Sequence, residues 1–258
     1  LKRKTKKEQP ILLIVEDNSD VSIYLESILE KHYRILIADN GKLGLEKAVE
    51  SVPDIILSDI MMPQMDGIDM LKHLKNDVRT SHIPVVLLTA KVDINSKLEG
   101  LETGADAYLA KPFNKKELFI RLRKLVELRN KLQERYTSFQ LPEISNNKQI
   151  QTEDNFMHKL HEIFEKRLGD ENLGIHQLCN EMFMSRAQLY RKFKALTNRS
   201  IMGYLRSFRL QKAKSLLQTT NLNVTEIAFE VGFKNLSHFS HIFHQEFGTN
   251  PSNLKHKT

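Results

Sequence analysis

The stretch Ile55-Ile56-Leu57-Ser58-Asp59 constrains this chain most. It is short, β-branched and bounded by Pro53 before it and Pro63 after it, so it reads as a buried strand that ends at Asp59. Pro63 and Gly67 shape the loop that follows, and a helix resumes near Asp66. Taken alone, an Asp at a strand end is usually a turn or capping residue. Three further apolar runs end on polar chemistry of their own. Ile11–Val15 leads into Glu16-Asp17, Pro84–Leu88 into Thr89, and Asp106–Ala110, which contains Tyr108, into Lys111-Pro112. Ligands collect at the carboxyl ends of the strands in an open parallel sheet. Parallel alignment would therefore gather three carboxylates, a hydroxyl and an ammonium. Such a crowd of like charges calls for a hard cation, and Mg²⁺ held by carboxylates, waters and a phosphate is the natural occupant.

Between the strands lie amphipathic stretches. Asn18 or Ser19 can cap a helix with Val21, Leu25, Ile28 and Leu29 on one face, Tyr33–Ala38 reads as the second strand and Gly41–Glu50 as the second helix. Ile68, Leu71 and Leu74 place a third helix, and a fourth covers Ile94–Thr103 and stops at Gly104. The alternation predicts an α/β doubly wound, five-stranded parallel sheet over residues 11–128. The fifth helix begins near Asn114. Its stripe of Leu118, Leu122, Leu125, Leu132 and Tyr136 is either an ordinary packing face or a helix extended into a short coiled coil.

Residues 11–113 carry 10 basic and 17 acidic side chains, a net of −7, whereas residues 154–258 carry 15 and 9, a net of +6, within a total of +7. That split suggests a regulatory module joined to a polyanion-binding one. Residues 1–10 are a basic linker, and opening on Leu1 rather than Met suggests a piece of a longer chain. Cys179 stands alone, which excludes a disulfide framework and suggests a reducing, cytoplasmic compartment; no apolar stretch is long enough to span a membrane.

Residues 11–128 resemble a response-regulator receiver domain, through Glu16-Asp17, Asp59, Thr89, Tyr108 and Lys111-Pro112. The resemblance implies that Asp59 accepts a phosphoryl group from a histidine kinase, in cis or in trans. It implies Mg²⁺ bound by Asp17, Asp59 and the backbone carbonyl of Met61, with Glu16 acting through water. Thr89 and Lys111 would bind phosphoryl oxygens, and Tyr108 would turn from exposed to packed as part of the switch.

Residues 129–153 read as a helical extension and a linker rich in Ser, Asn, Gln and Pro. The remainder, residues 154–258, reads as nearly all helix. A pattern occurs twice there: Ile175–Cys179, Ser185 and Leu189–Phe193, then Val224–Ala228, Asn235 and Phe239–Phe243. Each unit is a short helix, a turn, an N-cap and a second helix whose apolar i,i+4 pair packs back, so this part is an all-α domain with two helix–turn–helix units. Cys179 and Ala228 take equivalent slots, where a small side chain lets helices cross; Cys179 is thus a structural thiol. A long helix carrying Arg206 and Arg209 separates the units. With Gly232-Phe233 and the ending Phe243–Pro251, residues 154–256 resemble an AraC-type DNA-binding domain. The resemblance implies DNA contacts from Arg186, Ala187, Tyr190 and Arg191 in the first unit, and from Leu236, Ser237, Ser240 and His241 in the second. Phe183 stands where that family often has a turn Gly, which calls for another turn geometry, and His241 and His244 stand where Arg and Lys are common. His238, His241 and His244 drift around a helix without a completing carboxylate or Cys, so they do not read as a metal site; His158 and His161 read the same way.

The expected protein is a transcriptional regulator, not an enzyme, that binds double-stranded promoter DNA under control of phosphorylation at Asp59 and forms a homodimer when phosphorylated. The arrangement resembles the C-terminal part of a hybrid two-component system, in which an upstream sensor kinase would tether it to the inner membrane. The alternative is a phosphatase or phosphotransferase with Asp59 as nucleophile. Such enzymes commonly place a second acid two residues on, where this chain has Met61.

Overall fold

A computed structural model of the chain describes residues 9–90, 105–136, 139 and 141–254. Five strands, β1 (Ile11–Val15), β2 (Arg34–Ala38), β3 (Ile55–Asp59), β4 (Val85–Ala90) and β5 (Ala107–Lys111), pair in parallel in the order β2-β1-β3-β4-β5. Side chains alternate between the two faces of each strand. Leu13, Val15 and Ile56 join one core, and Leu12, Ile14 and Leu57 join the other. Because helices cover both faces, the strands carry unbroken apolar runs instead of alternating ones.

Helices α1 (Ser19–Leu29), α2 (Gly41–Ser51), α3 (Gly67–Asn76) and α4 (Lys115–Arg135) start where the sequence offers a cap. Asn18, Asn40, Asp66 and Asn114 each accept a hydrogen bond from a backbone N–H of the first turn. The doubly wound fold stands as expected. The predicted helix over 94–103, its Gly104 cap and most of the basic linker lie outside the described residues. Gly67 is set by close approach: its N–H donates to the Ile60 carbonyl at 2.8 Å, and a Cβ there would meet the Asp59 carbonyl oxygen at 2.1 Å.

The leucine stripe resolves inside the molecule. Leu118, Leu122 and Leu125 pack under the sheet, whereas Leu132 and Tyr136 enter the core of the second half. One helix therefore serves two cores, and the stripe is neither a coiled coil nor a packing face of the receiver-like half alone. The end of the expected linker is helical. Helix α5 (Lys148–Lys166) begins inside it, and Asp154 accepts from the Arg135 guanidinium, the Tyr136 hydroxyl at 2.7 Å and the Ser145 N–H at 2.8 Å. Burial alone would raise that carboxyl, but those donors hold it below the usual range.

The second half contains α6 (Ile175–Met182), α7 (Arg186–Thr197), α8 (Ile201–Thr219), α9 (Val224–Glu230), α10 (Leu236–Phe247) and α11 (Pro251–Leu254). Both expected units are present: α6 with α7 and α9 with α10. The apolar pairs Leu189/Phe193 and Phe239/Phe243 are fully buried. Phe183 corrects the expectation of another turn geometry. It takes the left-handed conformation itself, at φ 54°, with its ring turned out to solvent. A Cβ in that region costs about 1–2 kcal/mol, which the Lys159 ammonium, 5.2 Å from the ring centre, partly offsets. Arg209 is buried and donates to the carbonyls of Asp170 and Gly232, so it braces the second unit, while Arg206 stays exposed. Cys179 packs beside the core, where burial raises its thiol pKa. Among the described residues, no helix is long and apolar enough to cross a membrane.

His161 and His158 are hydrogen-bonded within the fold. His158 Nε2 lies 2.9 Å from the Pro142 carbonyl, and His161 Nε2 lies 2.8 Å from the Tyr204 hydroxyl among Phe164 and Phe208. Burial depresses the His161 pKa from 6.5 to about 4. The unfolded chain therefore takes up this proton first as pH falls. The group's contribution is full above about 6.5 and is lost toward 4, a change of roughly 3 kcal/mol. Urea titrations at about pH 7 and about pH 4.5 should show this loss in the wild type, with a shallower one in His161→Gln. Equal slopes in the two proteins would remove His161 from the account.

Candidate functional site

The parallel register brings the strand ends to one edge. Val15 lies beside Ser58, Asp59 beside Leu88, and Ala90 beside Lys111. Glu16 follows β1 and is 2% exposed, Asp17 is exposed, and Asp59 ends β3 half-buried. Carboxylate oxygens of these three lie within 4.8 Å of one another. Lys111 Nζ, at the end of β5, donates to Glu16 Oε2 and to Asp59 Oδ2, both at 2.8 Å. The other Asp59 oxygen accepts from the Ile60 N–H at 2.8 Å, which fixes the carboxylate plane.

Burial raises the Glu16 carboxyl pKa, and the nearby Asp59 charge adds to that; the Lys111 ammonium opposes it without cancelling it. Burial by itself would lower Lys111, but its hydrogen bonds to Asp59 and Glu16 overcome that and raise it. Three hard oxygen donors in so small a space fit a small divalent cation such as Mg²⁺, whose preferred ligands are carboxylates and waters.

The other predicted residues fall around this cluster. Thr89 is buried near the end of β4, and Met61 lies in the loop after β3 with its side chain 71% exposed. Tyr108 is packed, at 8% exposure, among the core residues on its face of the sheet.

A second set lies on the helix–turn–helix units. Ser185 caps α7 and accepts from the Gln188 N–H, while Gln188 Oε1 accepts from the Ser185 N–H. Arg186, Ala187 and Tyr190 face solvent. Arg191 is half-buried, and its guanidinium donates to the Val52 carbonyl at 3.1 Å. On α10, Leu236, Ser237 and His241 are exposed and Ser240 is half-buried. His241 Nε2 lies 2.9 Å from Gln245 Nε2, one turn on.

Sequence reasoning missed Gln188 and Lys192. The Ser-x-x-Gln spacing marks Gln188 as a cap partner, but nothing in it signals that Nε2 also donates to the Val49 carbonyl at 3.0 Å. Lys192 looks like one more basic residue of a DNA-binding helix. In the structure it is fully buried, ion-paired with Glu153, and donates to Ser81 Oγ at 3.1 Å.

Comparison with known proteins matches this geometry. Residues 12–123 match the family model of the response regulator receiver domain, and residues 178–257 match a helix-turn-helix domain. Histidine kinase P4 of Formosa agariphila is 35% identical over 98% of this chain, which spans 18% of that relative's length. The receiver domain of a Pseudomonas aeruginosa sensor histidine kinase, solved with magnesium in its active-site cleft, is 28% identical (46% of this chain, 98% of that one, TM-score 0.44). The C-terminal domain of the response regulator yesN from Fusobacterium nucleatum is 28% identical (40% of this chain, 99% of that one, TM-score 0.37). The chain thus joins a response regulator receiver domain to an AraC-type helix–turn–helix domain.

Proposed function

We propose that this chain is the receiver and output part of a two-component phosphorelay, in which phosphorylation of Asp59 governs binding to promoter DNA. The observation that carries this reading is the Asp59 carboxylate, held between Lys111 and the acidic pair Glu16-Asp17 at the mouth of the sheet. A phosphoryl group moves from a phosphohistidine nitrogen to an Asp59 oxygen: the N–P bond breaks as the O–P bond forms. The histidine belongs to a kinase, in cis or in trans. Asp17, Asp59 and the Met61 carbonyl would hold Mg²⁺, with Glu16 acting through water; the ion supplies positive charge for the incoming phosphoryl oxygens. Lys111 and Thr89 bind those oxygens once the group is in place, which moves Lys111 off one of its two carboxylates. Tyr108, packed at 8% exposure, is the switch residue of this reading.

DNA binding rests on the exposed residues of α7 and α10 together with Arg191, which is half-buried and bonded to Val52 and would turn from there to a bidentate contact with a base. Arg206, exposed on α8, suits a phosphate contact. A receiver joined to a DNA-binding domain fits a regulator without turnover of its own. The rival phosphatase reading lacks an acid at Met61. The stripe from Leu118 to Tyr136 offers no surface to a second copy while both cores hold it, so pairing of two phosphorylated chains has to use another face.

With Mg²⁺ and a small acyl phosphate, the chain should gain one acid-stable, base-labile phosphoryl group. Asp59→Asn should gain none, and Asp17→Ala should lose most of its Mg²⁺ affinity. Full labelling of Asp59→Asn would refute the site. On DNA, affinity should fall about 10³–10⁵-fold between about 50 and 200 mM salt for roughly 6–10 phosphate contacts. Arg191→Ala should cost roughly 1–3 kcal/mol at one base position, while Arg206→Ala should weaken all sequences alike. The opposite pattern in competition binding would exchange those two roles.

A further inference from the structure

Helix α4 serves two cores, and the two cores do not meet. Leu125 belongs to the core under the sheet, whereas Leu132, about two turns on, packs against the core of the helical half. Between them lies a cavity of about 360 Å³. Val52, Pro53 and Pro84 of the receiver, Leu125 and Leu132 of α4 and Leu196 of α7 supply its apolar walls. Lys131 and Asn147 on its lining are exposed, so it reaches solvent. Packed interiors leave few voids larger than a water. A water held there would need two to four polar partners, which proline and leucine side chains do not offer. Small-molecule sites occupy about 300–1,000 Å³, with apolar walls and a few placed polar groups.

The charged groups on the lining are unequally served. Each of its carboxylates has donors already. Asp106 Oδ2 accepts from Lys75 Nζ and from the Val85 N–H, both at 2.9 Å. Glu153 is paired with Lys192 and accepts from Ser81 Oγ at 2.7 Å, and Asp54 Oδ2 accepts from the Ile11 N–H at 2.8 Å. Among the cations, Lys75 is paired with Asp106 and Arg135 with Asp154. Arg191 and Lys131 make no ion pair among the described residues. The half-buried Arg191 guanidinium donates to the neutral Val52 carbonyl at 3.1 Å. Burial lowers its pKa; the Asp54 charge opposes that shift and the Arg34 charge adds to it. A guanidinium carries five N–H donors, so most of those on Arg191 remain open to an acceptor, on a cation already short of water.

We propose that this cavity binds a small monocarboxylic acid with an apolar body, of the medium-chain alkanoate class, with its carboxylate on Arg191 and its chain against Leu125, Leu132 and Leu196. A carboxylate matches the planar fork of a guanidinium through two parallel N–H···O bonds. Lys131 places a second positive charge on the same lining. An ammonium head would meet Arg191 instead, and would find the carboxylates of the lining already engaged. A strongly polar ligand such as a sugar or a nucleotide would lose water to walls that cannot replace its hydrogen bonds.

The test uses the full chain, without DNA or phosphodonor, so its outcome is separate from the fate of the reading above. Octanoate, octylammonium and acetate are each titrated, and binding is followed by ligand-observed NMR. Octanoate should saturate one site with a Kd of about 1 mM or below. Octylammonium, which has the body without the charge, and acetate, which has the charge without the body, should each bind at least about tenfold more weakly. Arg191→Gln should cost octanoate about tenfold and remove its advantage over octylammonium. Ala195→Phe, which adds a ring to the lining from α7, should abolish octanoate binding while Arg191 stays in place. Absence of saturable octanoate binding up to about 10 mM in the folded wild type would overturn the site. Equal affinities for octanoate and octylammonium, or unchanged octanoate affinity in Arg191→Gln, would overturn it too, since they mark adsorption to apolar surface. If Ala195→Phe does not fold, the ligand comparison and Arg191→Gln decide.

Discussion

The structure hangs on α4, a helix of 21 residues that is shared by two hydrophobic cores. At about 1.5 Å per residue it spans roughly 31 Å, long enough to lie under the sheet at one end and inside the DNA-binding domain at the other. Leu118, Leu122 and Leu125 lose water against β1, β3 and β5, and Leu132 and Tyr136 lose it against α5 to α8. Burial of each large apolar side chain contributes about 1.5–3 kcal/mol, so neither domain can slide along the helix without exposing part of its own core. The helix starts four residues after Lys111, near the acidic cluster, and its end is tied to Asp154 through Tyr136. Among the described residues it runs unbroken from the neighbourhood of the acidic cluster into the helical half.

The polar contacts follow from that constraint. Once α4 fixes the spacing, α7 is laid against the receiver, and its long side chains need partners within reach. Gln133 donates to the Ala195 carbonyl at 2.9 Å, tying α4 to the carboxyl-terminal half of α7. Lys192 is buried, and burial lowers its pKa, while Glu153 opposes that shift. An isolated ammonium there would be costly, but one shared among Glu153 and Ser81 is tolerated. Buried ion pairs of this kind add little net stability but discriminate against other arrangements, since a shifted register leaves a charge unpaired. The docked arrangement is therefore specified more by the cost of mispairing than by the strength of its bonds.

At the other end of the sheet the same logic serves chemistry. Lys111 neutralises two carboxylates that would otherwise repel each other, and so holds Asp59 in place. Glu16, the most buried of the three acids, has its carboxyl raised by burial, whereas Asp17 stands in solvent. The site is thus graded from dry to wet, with Asp59 between. Gly67 keeps this grading intact because α3 has to pass against the Asp59 carbonyl itself.

The sequence by itself determined the strands, the caps, both helix–turn–helix units and the acidic cluster. Each depends on local signals: apolar runs long enough for a buried strand, Asn or Asp ahead of an amphipathic stretch, and chemistry at strand ends that parallel pairing must bring together. What only the tertiary structure decided is where long-range contacts won. The leucine stripe is periodic whether its partner is a second chain or two cores of the same one, and periodicity carries no information about which. Phe183 adopts a glycine conformation because the turn between α6 and α7 is fixed by packing on either side of it. Tyr108 is packed, and Arg191 turned toward the receiver, because the volume around each is set by elements distant in the chain. Lys192 carries the sharpest case: a lysine on a basic helix is read as solvated, and only the approach of Ser81 and Glu153, 111 and 39 residues away, removes it from water.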